Sequence, residues 1–186
     1  MVPLARDYPA IGTVRPVRIL VTNDDGIDSV GLHELARALV DLGEVTVVAP
    51  DTEYSGAGAS LGAMHLIRPE VHDAHIDGID QSWSVSGPPG LCVVYSRLGL
   101  FGDSFDLVVA GINRGPNTGR STLFSGTIGA VLAGERFGWS GMAVSADVPV
   151  TGGTGAVGAP GHVPWETAAT VAQVILPWLV DAPEQT

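Results

Sequence analysis

The sequence contains no lysine, because all nine of its basic residues are arginine. A lysine-free chain can form neither a P-loop that ends in Lys nor a Schiff base, and it has no lysine general base. Positive charge is scarce overall, since 20 Asp and Glu residues bring the formal net charge to -11 at pH 7. A protein of this charge is not expected to hold long nucleic acid by its phosphates, so any nucleotide ligand should be a small molecule.

Cysteine and long apolar runs are also scarce. The single cysteine, Cys92, excludes an internal disulfide and fits a reducing compartment. No continuous apolar run approaches the roughly 20 residues that span a bilayer. Residues 1–16 lack an apolar core of signal-peptide length and are predicted to form a loose leader. We therefore expect a soluble, cytoplasmic protein without a membrane partner.

Apolar patterning predicts one α/β domain over residues 17–186 with a mostly parallel sheet. Buried strands are expected at Val17–Val21, Val45–Ala49, Asp106–Ile112 and Gly141–Ala146. Strand-like pieces at Met64–Ile67 and Trp83–Val85, separated by the acidic segment 71–80, indicate a β excursion at the sheet margin. This excursion falls between the second and third core strands.

Four helices are expected between or after these strands. The first carries Leu32, Leu35, Ala36 and Leu39 on one face, with Ser29 as N-cap. The second opens at Pro88–Pro89, with Cys92, Val93, Tyr95, Leu98 and Leu100 at its apolar positions. The third opens at Ser125–Thr127, with Ile128, Val131 and Leu132 as apolar anchors among small residues. The last begins at Pro164, buries a stripe of Trp165, Ala168, Ala169, Ala172, Ile175, Leu176 and Leu179, and is kinked or ended by Pro177. The glycine-rich segment 151–161 before it is expected to be a mobile loop.

Polar side chains follow the predicted strands where each one ends. Asn23, Asp24 and Asp25 follow the first strand, Ser55 lies in the loop after the second, and Asn113 follows the third. Ligand sites gather beyond the carboxyl ends of parallel strands. Carboxylate, hydroxyl and amide oxygens suit a hard divalent cation such as Mg²⁺ or Mn²⁺. The alternative is an ordinary turn, in which Asn, Asp and Gly are common.

A second polar feature is the Ser125-Gly126-Thr127 sequence at a predicted helix start. Free backbone N–H groups and two hydroxyls at the positive end of a helix dipole can bind an anion of phosphate size. The alternative interpretation is that Ser125 only caps the helix.

Four ordered motifs resemble the SurE family of metal-dependent 5′/3′-nucleotidases: I-L-V-T-N-D-D-G-I, V-A-P-D-x-x-x-S-G-x-x-x-S, A-G-I-N-x-G-P-N-x-G and F-S-G-T-I-G-A. The resemblance runs from about Val17 to Ala146. It implies a Rossmann-like three-layer sandwich, one divalent cation per subunit (Mg²⁺ or Mn²⁺) and hydrolysis of nucleoside 5′- or 3′-monophosphates. By motif position the metal ligands are Asp24, Asp25, Ser55 and Asn113, of which Asp24, Asp25 and Asn113 are also the expected catalytic residues. The phosphate or substrate site would comprise Asn23, Gly115, Asn117, Ser125, Gly126 and Thr127.

The sequence departs from the family pattern at Leu91 and Ala133, where an acidic residue is usual. These changes leave open a nucleotide or phosphate sensor that binds a cation but does not turn over. Family chains also continue past the last helix into a strand and an arm that helps to build a dimer. The resemblance therefore predicts an altered or weaker homodimer.

Two rival sites remain. Gly58 to Gly62 matches G-x-S-x-G, with Asp147 and His162 following in the order of a serine hydrolase, but Ser60 does not lie on a predicted strand-to-helix turn. His65, His72 and His75 lie in or near an acidic segment and are expected to be solvated rather than to form a metal cluster. Cys92 is expected to be a buried apolar residue.

Overall fold

The structure is a computed structural model that describes residues 16–62, 68–147 and 163–180. Its sheet has the strand order β3-β4-β2-β1-β5-β6. The strands are β1 (Arg18–Thr22), β2 (Glu44–Pro50), β3 (Val71–Asp73), β4 (Gln81–Val85), β5 (Leu107–Arg114) and β6 (Ser140–Ala146). Every neighbouring pair is parallel except β3 with β4, which is antiparallel.

Four α-helices cover the two faces of this sheet within the described residues: α1 (Val30–Leu39), α2 (Pro89–Arg97), α3 (Gly126–Glu135) and α4 (Trp165–Val180). Side chains of β1 alternate between the faces. Ile19 and Val21 pack in one apolar cluster with α1 and α4, whereas Leu20 packs in a second cluster with α2 and α3. Strands buried on both faces explain the near-continuous apolar runs of the sequence. The predicted three-layer α/β fold with a mostly parallel sheet is confirmed.

The β excursion is at the sheet margin as predicted, but its composition differs. The strand predicted at Trp83–Val85 is β4, which pairs in parallel with β2 and thereby extends the core sheet. Part of the segment interpreted as a separator is the edge strand β3. The piece predicted at Met64–Ile67 lies outside the described residues.

Two helices differ from their predicted apolar faces. The α2 helix ends at Arg97, and Leu98 and Leu100 beyond it are 64% and 53% exposed, so they are not the predicted core residues. In α3 the buried residues are small, and Leu132, a predicted anchor, is 52% exposed. The α3 helix lies close to its neighbours because Gly129 touches the backbone of Gly58. A larger residue at that position would prevent this approach.

The last helix buries Ala169, Ala172 and Leu176 as predicted, but Ile175 is 46% exposed. Pro177 lies inside α4, which continues to Val180, so this proline does not end the helix. The predicted leader and the loop at 151–161 fall outside the described residues, apart from Pro16. Across the three described ranges, no helix has the length and apolar character needed to cross a membrane.

Candidate metal and phosphate site

The candidate site lies where the direction of chain progression across the sheet changes. From β1 the chain proceeds outward to β2 and β4, and it then returns to β5 on the other side of β1. Such a switch point leaves a crevice between the loops at the carboxyl ends of the two strands. Asp24 and Asp25 follow β1, and Asn113 lies near the end of β5. Topology alone therefore brings these three predicted ligands to one crevice.

Asp24 is held by the start of α3. Its side chain accepts a hydrogen bond from the Thr127 hydroxyl (Oγ1 to Oδ1, 2.7 Å) and another from the Gly126 N–H (N to Oδ2, 3.1 Å). Asp24 is 3% exposed and Thr127 is fully buried. A buried carboxylate needs such charge-assisted partners. In this structure the anion at the positive end of α3 is therefore the Asp24 carboxylate itself.

Ser125 acts as the N-cap of α3, because its hydroxyl accepts a hydrogen bond from the N–H of Ile128 (3.1 Å). The predicted cap at Ser125 is thus present in the structure. Gly126 has a further role, since a Cβ there would lie 2.7 Å from the Cβ of Asp24. Only glycine lets the helix start approach the carboxylate this closely.

The loop at residues 51–62 carries Ser55 between the acidic loop and α3. The Tyr54 N–H donates to the main-chain carbonyl of Asp24 (2.7 Å). Further along, the Gly58 N–H donates to the carbonyl of Phe124 (3.0 Å). Ser55 follows Tyr54 directly and is exposed, so the structure brings its loop beside Asp24.

The acidic loop folds as a tight turn as well as presenting its carboxylates. Gly26 has a φ of +101°, and a Cβ there would lie 3.2 Å from the backbone of Thr52. A side chain is strained in that conformation, so glycine is required. Asn23 is buried and braces the turn, because its Nδ2 donates to the carbonyl of Gly26 (3.0 Å) and to the hydroxyl of Ser29 (2.6 Å). The turn and the ligand interpretations are therefore compatible.

Asp25 is less buried than Asp24 and lines a cleft of about 350 Å³ together with Arg114 and Trp165. The pKa of its carboxyl is raised from 3.8 to about 6, first because burial removes water from it. The negative charges of Asp24 and Glu53 raise the pKa further, whereas the N–H and the charge of Arg114 oppose the rise. The crevice thus holds more negative charge than its own basic groups balance.

The end of β5 and the loop after it carry three predicted site residues. Asn113 lies near the end of the strand, and Gly115 and Asn117 lie beyond it. The Asn113 Nδ2 donates to the carbonyl of Gly115 (2.8 Å), so Oδ1 is the side-chain atom of Asn113 that could bind a cation. The Gly115 N–H donates to the carbonyl of Ala146 (2.8 Å), and the Asn117 Nδ2 donates to the Ser145 hydroxyl (3.0 Å). Both contacts tie this loop to the end of β6, so Asn117 is held at the strand furthest from β1 on that side.

These residues fit a divalent cation on three grounds. The available donors are carboxylate, hydroxyl and amide oxygens, which Mg²⁺ and Mn²⁺ prefer. The pKa of Asp25 is raised first by burial and then by the charges of Asp24 and Glu53, and a cation bound beside Asp25 would stabilise its charged form. Asn23 Oδ1 is buried and has no hydrogen-bond partner among the described residues. In the described ranges, no group of three or more His, Cys, Asp or Glu side chains could hold a metal ion.

Sequence reasoning missed Glu53, Arg114 and Trp165. Arg114 lies at the end of β5, so the strand-end rule that found Asn113 could also have found it. Glu53 lies in the same loop as Ser55, so the reasoning that found Ser55 could also have found Glu53. Trp165 starts α4 and reaches the crevice through packing against Gly31, for which the local sequence has no signal.

The rival sites gain no support. Ser60 lies in an exposed loop well after β2 has ended, and its hydroxyl accepts from the N–H of Gly62 (3.2 Å), so it does not occupy a strand-to-helix turn. His72 and His75 are not buried, and His65 and His162 lie outside the described residues. Cys92 is fully buried, as expected, and burial raises the pKa of its thiol.

A family model described as Survival protein SurE matches residues 19–185. The chain belongs to the SurE family. A protein named 5′-nucleotidase SurE from Rhodopirellula baltica is 46% identical over 130 residues, which are 69% of this chain and 51% of that protein. A protein of the same name from Haemophilus influenzae is 39% identical over 163 residues, or 88% of this chain and 58% of that protein.

The fold of the SurE family agrees with the structure. A crystal structure of the Sure protein from Aquifex aeolicus superposes with a TM-score of 0.73 at 32% sequence identity, covering 90% of this chain and 62% of that one. The chain spans about half the length of the first curated SurE relatives that it matches. The resemblance stated from the four motifs is thus confirmed at the level of family and fold.

Proposed function

We propose that this chain forms the cation and phosphate site of a phosphomonoesterase that hydrolyses nucleoside 5′- or 3′-monophosphates to nucleoside and phosphate. The observation that carries the proposal is the link between Asp24 and the start of α3, because it fixes one carboxylate of the adjacent pair where the loops after β1 and β5 meet. The names of the SurE relatives, 5′-nucleotidase, support the same reaction and substrate class.

Asp24, Asp25, Ser55 and Asn113 would hold one divalent cation. When bound, Mg²⁺ or Mn²⁺ would polarise the phosphoryl group and stabilise negative charge on its oxygens. Asp24 is buried and fixed by two hydrogen bonds, so its carboxylate would offer the cation an oxygen ligand in a fixed position. Asn113 contributes a neutral oxygen, which limits the negative charge that faces the phosphate.

Asp25 is the carboxylate that substrate would meet, because it lines the open cleft. Arg114 lines the same cleft and is exposed, so its guanidinium can attract the anionic phosphate. The phosphate or substrate site next to the cation would comprise six residues: Asn23, Gly115, Asn117, Ser125, Gly126 and Thr127. Asn23, Ser125 and Thr127 act there by keeping the two loops and the helix start in position.

Treatment with EDTA tests this function. The protein is stripped with EDTA and assayed for phosphate release from a panel of nucleoside monophosphates, before and after addition of Mg²⁺ or Mn²⁺. We expect no activity without the cation and recovery with it. Activity that survives EDTA but is lost with a serine-directed inhibitor would replace the proposal with a serine hydrolase that uses Ser60. Binding of cation and nucleotide without phosphate release would indicate a sensor.

We further propose that the protein works in the cytoplasm and forms a homodimer. The single, buried cysteine agrees with a reducing compartment. The exposed side of α4 carries Val174 and Trp178, which are 65% and 79% exposed and would favour self-association. Light scattering during size-exclusion chromatography over a dilution series measures this. A monomer at every concentration would contradict the homodimer.

A further inference from the structure

A second cavity is lined in part by the loop that carries Ser55. It has a volume of about 200 Å³ and lies between residues 54–62 and the start of α2. Its lining is mostly apolar and includes Tyr54, Leu61, Pro88 and Leu91, with Ser60 and Ser86 as polar residues. Within the described part of the chain, no charged side chain lines it. An uncharged ligand group with an apolar face therefore suits this cavity.

The cavity and the acidic crevice share one loop. The Tyr54 side chain lines the cavity, and the Tyr54 N–H is hydrogen-bonded to the carbonyl of Asp24. At the other side, the N–H of Asp51 donates to the carbonyl of Val85 (2.9 Å), which anchors the loop to the end of β4. A ligand that fills the cavity would thus contact the same loop that is hydrogen-bonded to Asp24.

The wall against α2 is closely packed. A Cβ at Gly90 would lie 3.0 Å from the carbonyl oxygen of Ser60 and 3.2 Å from the Leu61 side chain. Leu91 is 3% exposed, and its Cδ2 would lie 2.7 Å from a Cβ at Gly87. This described wall of the cavity is therefore closely packed. The volume of the cavity is below the roughly 300–1,000 Å³ of a drug-sized ligand pocket, so it fits part of a ligand, such as one ring system.

We propose that this cavity binds the base of the nucleotide, with the Tyr54 ring and Leu61 as the residues that favour nucleotides over other phosphate esters. The inference rests on the proposed function, because a nucleoside monophosphate joins an uncharged, flat base to a phosphate through one sugar. An aromatic ring beside a base contributes stacking, and apolar side chains contribute burial. The cleft lined by Asp25 and Arg114 is less suitable for a base, since the charged groups of these two residues would lose water there.

Adenosine, which has no phosphate, separates this inference from the reaction. Its affinity is measured by isothermal titration calorimetry for the wild type and for Tyr54→Ala, Tyr54→Phe, Leu61→Ser and Leu98→Ser. Leu61 is 36% exposed, so Leu61→Ser is expected to fold even where a change at the buried Leu91 would not. Leu98 is an exposed leucine at the far end of α2 and provides the matched control.

We expect Tyr54→Ala to weaken adenosine binding about tenfold, from the loss of one stacking contact. Leu61→Ser should weaken it severalfold, whereas Tyr54→Phe, which keeps the ring, and Leu98→Ser should remain within about twofold of the wild type. In kinetics, the ratio of kcat/KM for AMP to that for ribose 5-phosphate should fall in Tyr54→Ala by a similar factor.

Absence of adenosine binding to the wild type, or equal affinity in wild type, Tyr54→Ala and Leu61→Ser, would overturn the inference. The latter result would move the base to the cleft beside Trp165. Phosphate release from AMP and from ribose 5-phosphate with equal efficiency, unchanged by Tyr54→Ala, would also overturn it while leaving the proposed function intact. Adenosine binding that depends on Tyr54 and Leu61, without phosphate release from either ester, would support the cavity and refute the proposed function.

Discussion

The hydrogen bond between Thr127 and Asp24 allows a quantitative test of how the site is built. Thr127→Val replaces the hydroxyl by a methyl group of similar size and keeps the β-branched shape, so helix propensity and packing change little. What changes is the buried Asp24 carboxylate, which loses the 2.7 Å bond to its Oδ1 and keeps the 3.1 Å bond from Gly126 to its Oδ2. Because Asp24 is 3% exposed, water cannot easily replace the lost donor.

A hydrogen bond to a charged group contributes about 1.5–3 kcal/mol to stability. We therefore expect Thr127→Val to lower the free energy of unfolding of the metal-free protein by about 2 kcal/mol. Thr127→Ser is the matched control, because it keeps the hydroxyl and loses only a methyl group, at a cost of about 1 kcal/mol.

Urea unfolding in EDTA, followed by circular dichroism, measures both changes. Removing the metal matters because a cation would itself stabilise the carboxylate and mask the lost bond. A loss below about 0.5 kcal/mol for Thr127→Val, or an equal loss for Thr127→Ser, would refute the claim that this bond fixes Asp24.

Two further changes test the same crevice. Gly126→Ala should leave α3 intact by circular dichroism but lower Mn²⁺ affinity at least tenfold in calorimetry. The reason is that the new Cβ would lie 2.8 Å from Asp24 Oδ2 and displace it. Unchanged affinity would argue against Asp24 as a fixed ligand. Asp25→Asn should weaken Mn²⁺ binding and turnover, yet stabilise the metal-free protein at pH 8 by about 1 kcal/mol, a value reduced for solvent screening of a half-buried group. Because the pKa of Asp25 is raised to about 6, the stability of the wild type falls as pH rises from about 4 through about 6. Below about 4 this stability is fully regained, and the advantage of the Asp25→Asn variant disappears. A difference in the free energy of unfolding between the two proteins that is the same in urea titrations at pH 4 and pH 8 would contradict the charge argument.

The loops of the site were predictable because parallel strands buried on both faces appear in the sequence as short apolar runs. Where such a run stops at Asp24 or Asn113, the polar residues must lie at the carboxyl edge. The cap at Ser29 was predictable for a local reason, since its hydroxyl accepts from the N–H of Leu32 three residues later (3.3 Å). Each of these inferences needs only neighbouring residues.

Contacts between distant residues were not predictable. Asp24 and Thr127 are 103 residues apart, and no periodicity relates them. The α3 helix is apolar all round, so its pattern could not indicate that Ala130 is buried while Leu132 is 52% exposed. That choice depends on the close approach of Gly129 to the loop at Gly58, which is a tertiary contact.

The pocket beside Tyr54 was missed for the same reason. It forms where the loop after β2 meets the start of α2, and the sequence presents these as separate turn and helix signals. Leu98 and Leu100 were assigned to the core because their spacing continues that of α2, although the helix ends at Arg97.

The location of Mn²⁺ in crystals of the protein tests directly whether the crevice between β1 and β5 holds a divalent cation. Anomalous diffraction from a manganese soak identifies the cation and its ligands independently of turnover. We expect one peak in the crevice between β1 and β5, with oxygen atoms of Asp24, Asp25 and Asn113 at about 2.0–2.6 Å from the metal. A peak bound elsewhere, or full nucleotidase activity in crystals and solution with this crevice empty of metal, would contradict this expectation.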